Sequence, residues 1–247
     1  MDFCADRMSM RWPLFSMRKR SDGEDSFYCQ AGIQLRIQPS DKGAPTVWDR
    51  DIVIYLASLL HALPGTGPAI TLSVYQLLKA TARGAGIQGY QGLLNALFRL
   101  RHTRIRTNIG FSDGQVRQVC WLDHYEIEEA DVAPGNRAHI CVRLSEWAHE
   151  CLTGEDDIAP LNPRYFRLTG GLERRIYELA LDQCAVVSRW RVPLRVLAKE
   201  TGSNQGNLRR FKFDLKIIAA EQRLPDLHLT INENPGGEDS VTFSRLA

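Results

Sequence analysis

Apolar residues along the first part of the chain recur at the spacing of a strand and then at the spacing of helices. Alternation of apolar and polar residues at 33–37 predicts a strand with one apolar face. Capping-box patterns at 46–49 and 73–76 open two helices, and a third helix is expected at about 89–101. The chain is therefore expected to begin with a strand and three helices.

Two further alternating runs, at 104–109 and 115–121, follow the third helix and are separated by an Asp-Gly pair. An Asp-Gly pair between two such runs is typical of a β-hairpin. Three helices followed by a hairpin is the element order of a winged helix, so this hairpin is the predicted wing. Another strand is expected at 139–144 and another helix at about 145–152.

The same order of patterns returns in the last third of the chain. Apolar residues at helical spacing predict a helix that ends near Cys184, followed by helices at 193–200 and 204–223. Alternating runs at 227–231 and 241–243 flank a Pro-Gly-Gly turn and predict a second hairpin. The predicted fold is therefore α+β, with two tandem winged-helix domains, each of three helices and a small β-hairpin wing.

These patterns also divide the chain into segments. The predicted divisions are an irregular N-terminal segment at 1–30, a first winged-helix domain at 31–152, a linker at 153–163 and a second winged-helix domain at 164–247. The strand at 33–37 either completes the core of the first domain or forms an edge that pairs with a second copy of the chain. A homodimer is the expectation if the second alternative holds.

Composition narrows the class of protein. A chain of 247 residues with 44% hydrophobic and 24% charged residues is typical of one or two globular domains. No apolar run approaches the roughly 18 residues of a membrane helix, and the N-terminus shows no apolar signal segment. We therefore expect a cytoplasmic protein without membrane partners, whose six cysteines are reduced.

Charge is distributed unevenly, although the net charge is only +2. Residues 79–107 contain six basic residues and no acid, and residues 193–223 contain seven basic residues and three acids. Residues 121–160 contain ten acids and two basic residues. Two basic blocks separated by an acidic block indicate two modules that face an anion.

The sharpest local pattern runs from Leu197 to Gly202 and is typical of a helix-turn-helix. Ala198 lets the second helix cross close to the first, and Gly202 can take the left-handed turn between them. The second helix would then present an apolar back to the core and an amide and cationic front to the major groove of duplex DNA. The predicted DNA contacts of this helix are Asn204, Gln205, Arg209, Lys212 and Lys216.

The first module predicts a similar surface. The helix after Gly89 has apolar residues on one side and polar residues on the other, and the next strand carries outward arginines that can hold phosphates. The predicted DNA contacts of this module are Gln91, Asn95, Arg99, Arg104 and Arg106. The alternatives are a solvated basic helix face and an edge strand that is protected by charge.

Other chemistry receives little support from the sequence. Residues 84–89 match the GxGxxG pattern, but they follow a predicted helix, and the next acid is Asp113, so a dinucleotide site is not expected. Six potential zinc ligands lack the usual paired spacing, so we expect no metal and no cofactor. These six residues are Cys120, His124, His139, Cys141, His149 and Cys151. Nucleophile and metal-hydrolase motifs are also missing, which argues against a DNA-processing enzyme.

Several stretches resemble the plasmid replication initiator protein A family of bacteria. In chain order these are Trp12–Ser16, Gly43–Leu60, Gly89–Ile109, Tyr165–Ala180, Leu197–Lys216 and Leu224–His228. The resemblance implies binding of repeated sites (iterons) in a plasmid origin, local opening of the duplex and recruitment of the host helicase machinery. It also implies a dimeric form that represses the protein's own gene. A transcriptional regulator with the same DNA-binding surfaces, but without origin opening, is the alternative.

Overall fold

A computed structural model of the chain confirms the α+β class. It describes residues 2–19, 23–128, 138–154, 157–203 and 207–246. The chain divides into two compact units, one formed by the residues up to Met8 with Leu14–Leu161, the other by Ser9–Pro13 and the residues from Asn162 onward. None of the helices formed by the described residues is long and apolar enough to cross a membrane.

Helices and short strands alternate in the first unit. Its helices are α2 (Arg50–Ala62), α3 (Val74–Ala80), α4 (Ile87–His102) and α5 (Glu146–Thr153), and the short α1 (Arg7–Arg11) crosses the division between the units. Its strands are β1 (Cys4–Asp6), β2 (Ser26–Gln30), β3 (Ile33–Gln38), β4 (Ala69–Ser73), β5 (Arg104–Thr107), β6 (Arg117–Val119), β7 (Leu122–Glu128), β8 (His139–Leu144) and β9 (Ile158–Pro160).

Side-chain caps fix the starts of α2 and α3. The Thr46 amide donates to Asp49 Oδ2 at 2.8 Å, and the Asp49 amide donates to Thr46 Oγ1 at 3.3 Å. This reciprocal pair is the capping box that the sequence predicted before α2. Ser73 Oγ accepts from the Gln76 amide at 3.5 Å at the start of α3. The capping box therefore satisfies two amides in the turn just before α2, and Ser73 satisfies an amide in the first turn of α3.

The prediction that residues 104–121 form the wing of the first module is wrong. β5 and β6 do pair, but β5 also pairs with β3, so they belong to a four-stranded sheet of order β2-β3-β5-β6. A separate three-stranded sheet has the order β4-β8-β7. The hairpin of that sheet is formed by β7 and β8, and its connecting residues 129–137 lie outside the described residues. Local alternation could not show that β5 has a distant partner on its other edge.

The expectations of an irregular segment at 1–30 and of a linker at 153–163 are also wrong. Cys4 pairs with Pro160 in the antiparallel ladder of β1 and β9, so both segments contribute a strand to the first unit. The Cys4 amide donates to Ser58 Oγ at 3.0 Å, and the side chain of Asp6 lies fully buried beside Arg50 of α2. Packing onto α2 orders these strands, although each is too short for its pattern to be recognised.

Of the two alternatives for the strand at 33–37, the structure favours the core. β3 lies between β2 and β5 and has no free edge for a second copy of the chain. Leu35 and Ile37 are each only 4% exposed. A dimer through an edge of this strand is therefore ruled out, and a homodimer by another route stays a prediction.

The second unit has the three helices and the hairpin that the sequence predicted, together with a strand at 189–193 that was not predicted. A 3₁₀ turn at Pro163–Arg167 precedes α6 (Gly171–Val186), β10 (Arg189–Pro193), α7 (Leu194–Glu200), α8 (Leu208–Ala220), β11 (Leu227–Asn232) and β12 (Ser240–Arg245). These strands form a sheet of order β10-β12-β11, in which β11 and β12 are the predicted hairpin. Helix, strand, helix, helix and hairpin follow one another along this unit.

A buried arginine attaches residues 9–13 to the second unit. The Arg175 guanidinium, whose side chain is 2% exposed, donates to the carbonyl oxygens of Ser9 at 3.0 Å, Met10 at 2.7 Å and Glu200 at 3.0 Å. Because Glu200 is the last residue of α7, the same side chain joins the N-terminal segment to the end of that helix. Arg175 thus satisfies buried carbonyl groups that water cannot reach.

Candidate nucleic-acid interface

In the second unit, α7 and α8 are joined by the turn that the sequence predicted. Ala198 is 1% exposed, and the Thr201 hydroxyl donates to its carbonyl at 2.8 Å. Gly202 has φ +76°, the left-handed conformation in which a glycine is favoured. The two helices therefore have the close crossing and the tight turn of a helix-turn-helix.

α8 spans Leu208–Ala220, within the predicted range 204–223. The Asn207 side chain caps the helix by accepting a hydrogen bond from the Arg210 amide at 3.0 Å. An asparagine is among the best caps for a helix start, which explains where α8 begins. The predicted contacts Asn204 and Gln205 lie outside the described residues.

The faces of α8 agree with the predicted division into back and front. Phe211, Leu215 and Ile218 are buried, with exposures of 6%, 0% and 4%. Arg209 is exposed on the opposite side of the helix. A helix that is anchored by an apolar back and displays an arginine on its front has the geometry of a groove-reading element.

Lys212 and Lys216 also lie on the outer part of α8, but carboxylates of the β11–β12 connection hold them. Lys212 Nζ lies 2.7 Å from Glu233 Oε1 and 2.8 Å from Asp239 Oδ2, and Lys216 Nζ lies 2.7 Å from Glu233 Oε1. These hydrogen bonds raise the pKa of Lys212 and lower the pKa values of Glu233 and Asp239. The two predicted contacts are therefore engaged by carboxylates of their own unit.

Sequence reasoning missed Phe213, which the structure places on the exposed front of α8. Its side chain is 54% exposed, and the Arg210 guanidinium lies 5.5 Å from its ring centroid. Arg210 also pairs with Asp214 at 3.0 Å. Phe213 follows Arg209 by four residues, so helical spacing could have placed both on one face. An exposed aromatic ring at this position is suited to contact a thymine methyl group.

In the first unit, α3 and α4 form the corresponding pair of helices. A Cβ on Gly89 would lie 1.6 Å from the Gly84 carbonyl oxygen, so only a glycine permits this close turn at the start of α4. The glycine motif at 84–89 therefore forms a turn, as predicted, because its backbone packs too closely to leave room for a side chain at Gly89. Residues on one side of α4 anchor it in the core; these are Leu93, Ala96, Leu97 and Leu100.

The opposite side of α4 is mainly uncharged. Gln91 is exposed as predicted, and Ile87, which the sequence analysis missed, is 88% exposed at the helix start. Asn95 Oδ1 accepts a hydrogen bond from Lys42 Nζ at 2.7 Å, and Lys42 also lies 4.9 Å from the centroid of the Phe98 ring. The loop after β3 therefore brings a cation to this helix face, and no local pattern could have indicated it.

Arg99 does not present its guanidinium outward, as the sequence analysis expected. Its Nε and Nη2 donate to the two carboxylate oxygens of Asp49, both at 2.7 Å, and only 18% of the Arg99 side chain is exposed. Asp49 itself is 3% exposed. This bidentate pair joins α4 to the start of α2, so Arg99 holds the fold together rather than facing a ligand.

We expect Arg99→Met to reduce the free energy of unfolding by about 3 kcal/mol, because it leaves the Asp49 carboxylate buried without its partner. Urea denaturation followed by circular dichroism measures this loss. The exposed Arg106 offers a control, since Arg106→Met should change stability by less than about 0.5 kcal/mol. If Arg99→Met left the free energy of unfolding unchanged but weakened DNA binding, Arg99 would be a DNA contact and not a structural residue.

Arg104 and Arg106 are exposed on one face of β5, as predicted, but this strand lies inside the four-stranded sheet. Arg106 lies directly opposite Arg36 of β3, which also binds Asp25 at 2.6 Å. Like charges in directly opposed positions are unfavourable for a sheet. This face therefore concentrates positive charge that an anion would stabilise.

The region of the six potential zinc ligands forms no such site in the part of the chain that the structure describes, where no three metal-ligating side chains are grouped. Burial, reinforced by Asp123, raises the pKa of Cys120 to about 11. Burial, reinforced by Asp6, raises the pKa of Cys151 to about 12. Both thiols are therefore protonated at neutral pH.

A family model of replication initiator protein A matches residues 5–229, and the chain belongs to that family. A protein of Wigglesworthia glossinidia brevipalpis, named as a replication protein, is 29% identical over 245 residues. The alignment covers 96% of this chain and 87% of that protein. The relationship therefore extends over both units.

Solved structures of initiators share the fold at low sequence identity. A crystal structure of RctB domains 2-3 superposes with a TM-score of 0.66 at 13% identity and covers 98% of this chain and 97% of that chain. A selenomethionine derivative of the same RctB domains gives 0.68 at 16% identity, with 98% and 99% covered. The Pi initiator protein in complex with iteron DNA gives 0.56 at 12% identity, with 81% and 90% covered.

Proposed function

We propose that the protein is a plasmid replication initiator that binds repeated duplex sites in its origin through two winged-helix domains. The observation that carries this proposal is α8, which is packed by a buried apolar back and displays Arg209 and Phe213 on its front. Family membership and a fold shared with the Pi initiator, which was solved on iteron DNA, support the same reading. In each domain the second helix of the helix-turn-helix enters the major groove.

The two recognition helices differ in the bases that they are suited to read. Arg209 matches the paired acceptors of guanine, and Phe213 suits the methyl group of thymine. α4 carries no Lys or Arg before Arg99, and its exposed Gln91 and the neighbouring Asn95 match the edge of adenine. We therefore infer that the first domain reads A·T pairs and that the second domain reads a segment that contains guanine.

The basic face of β5 serves the phosphates. Arg104 and Arg106 lie on exposed positions of β5, which pairs with the strand that carries Arg36. Arginines on this sheet face can bind phosphates but are not placed to read base edges. Lys212 and Lys216 lie at the margin of α8, where phosphates flank the groove. Asn204 and Gln205, which precede α8 in the sequence and lie outside the described residues, stay predicted contacts.

The proposed role extends from binding to opening of the adjacent duplex, recruitment of the host helicase machinery and repression of the gene by a homodimer. It needs no cofactor and no cleavage of DNA. A transcriptional regulator would bind the same sites without opening the duplex, so the two functions differ in one measurable consequence.

Permanganate footprinting on a supercoiled plasmid that carries the repeats tests the proposal. We expect protein-dependent reactivity of unpaired thymines in the A·T-rich duplex beside the protected repeats. Protection without reactive thymines would assign the regulator, and absence of protection would contradict duplex binding itself. Relaxation of the plasmid to the nicked form in the presence of a divalent metal would instead indicate an enzyme.

A further inference from the structure

The connection between β11 and β12 carries charge of the wrong sign for a DNA-binding wing. Residues 233–239 include Glu233, Glu238 and Asp239 and no basic residue. In a winged helix this connection lies beside the recognition helix, where phosphates attract cations and repel carboxylates. A direct contact with DNA therefore does not explain why this connection carries acids.

Two of these carboxylates, those of Glu233 and Asp239, contact lysines of the recognition helix, although about half of the Glu233 side chain stays exposed. Glu233 contacts both lysines of α8, and Asp239 contacts Lys212, at distances of 2.7 to 2.8 Å. Asp239 Oδ1 also accepts from the Asn234 amide at 3.0 Å, which fixes the loop around the ion pairs. Both lysines of this helix face thus already have carboxylate partners.

We propose that Glu233 and Asp239 act as internal competitors of DNA phosphate that hold Lys212 and Lys216 and lower the affinity of the protein for DNA of unrelated sequence. This inference rests on the proposed function, because it assigns a regulation to the same helix. It makes the two acids specificity-determining residues that need not touch DNA.

Counterion release explains why sequence discrimination follows. A lysine that already neutralises a carboxylate releases little condensed counterion when it meets a phosphate, so it contributes little to non-specific binding. On unrelated DNA no base contact fixes the position of the helix. Lysines that have lost their carboxylate partners can therefore move to positions where they bind phosphates. On the cognate site the base contacts of Arg209 fix the helix, so freed lysines gain less. The acids therefore weaken binding to unrelated DNA more than binding to the site.

The test compares Glu233→Gln with Glu238→Gln in the full chain. Both substitutions remove one negative charge from the same loop, but the contacts of Lys212 and Lys216 are with Glu233 and Asp239 and not with Glu238. The probes are a duplex of random sequence and a duplex selected by the wild-type protein from a random library. Affinity is measured by fluorescence anisotropy over a range of salt concentrations, and circular dichroism checks that each variant is folded.

On the random duplex, Glu233→Gln should steepen the slope of log affinity against log salt by about 0.9, which amounts to about eightfold tighter binding at 0.1 M salt relative to 1 M. The double variant Glu233→Gln/Asp239→Asn should steepen it by about 1.8, as both lysines are freed. The gain on the selected duplex should be smaller. In a Lys216→Gln background, Glu233→Gln should give a smaller change on the random duplex, which shows that the effect passes through that lysine.

Equal behaviour of Glu233→Gln and Glu238→Gln would overturn the proposal and leave the DNA-binding function intact. An equal gain on both duplexes would overturn the discriminating role of the acids. Failure of the wild-type protein to select any duplex would instead contradict the proposed function. The two failures are therefore distinguishable within one set of measurements.

Discussion

Leu35→Glu is expected to destabilise the first unit strongly, with a loss of at least about 4 kcal/mol in the free energy of unfolding. Leu35 is 4% exposed, and β3 is paired on both of its edges, so a carboxylate at this position would be buried without a partner. Loss of the leucine packing adds to that cost. Because domains are stable by only about 5–15 kcal/mol, a loss of this size removes a large part of the stability of the unit. Circular dichroism and urea denaturation measure the change.

Gln34→Glu is the matched control for this substitution. Gln34 is the preceding residue of β3, and it is exposed, so the same charge should alter stability by less than about 0.5 kcal/mol. A different outcome is informative about association. If Leu35→Glu stayed folded and converted a dimer into a monomer, as sedimentation would show, β3 would be an interface after all and its place in the core would be wrong.

Arg209→Ala should weaken binding to the cognate site by about 1–3 kcal/mol and flatten the preference among bases. The reason is its exposed place on the front of α8, opposite the buried Phe211, where a guanidinium can reach a guanine edge. Binding to unrelated DNA should change much less. Competition assays with single-base variants of the selected site measure both quantities.

Arg104→Ala tests the contrasting role of a phosphate contact. It should weaken binding to cognate and unrelated DNA alike and should reduce the slope against log salt by about one unit. Arg210, which adjoins Arg209 but pairs with Asp214, supplies a control whose replacement by alanine should leave base preference unchanged. Equal losses from Arg209→Ala and Arg104→Ala, with specificity unchanged in both, would remove the distinction between the two contacts.

The second unit could be predicted almost completely because its signals are local. The turn at Gly202, the buried back of α8 and the hairpin of β11 and β12 each depend on residues within a few positions of one another. The strand β10 was not predicted, and the helix that was expected to continue to 223 ends at Ala220. A sequence pattern predicts a motif well when the residues that form it lie close together in the chain.

The first unit departed from prediction where distant segments meet. Leu35 of β3 pairs with Thr107 of β5, so the arginine strand became part of a sheet rather than a wing. The alternation at 104–109 indicated a strand correctly but held no information about its second partner. β1 and β9 likewise pair with each other across most of the first unit's sequence, and β1 packs against α2 and α5. Strand pairing over such separations is not encoded in a local pattern.

Charge summed along the sequence overstated the cations that are available to DNA. The acid-free block at 79–107 meets acids from α2, where Arg99 binds Asp49 and Arg83 lies 3.7 Å from Asp51. Lys212 is similarly engaged by carboxylates from a later hairpin. The opposite error occurred for Lys42, a single basic residue that the fold places beside Asn95. Electrostatic surfaces therefore depend on tertiary contacts more than on runs of charge.

The central claim is that two recognition helices, α4 and α8, read one duplex site. Footprinting of the full chain on its selected duplex, followed by the same experiment with Gln91→Ala and Arg209→Ala, tests it directly. The account predicts protection over about two helical turns, because successive major-groove faces lie about 34 Å apart. It also predicts that Gln91→Ala loses discrimination at A·T pairs in one half and that Arg209→Ala loses discrimination at a guanine in the other. Protection of a single turn, or loss at the same base pairs in both variants, would contradict it.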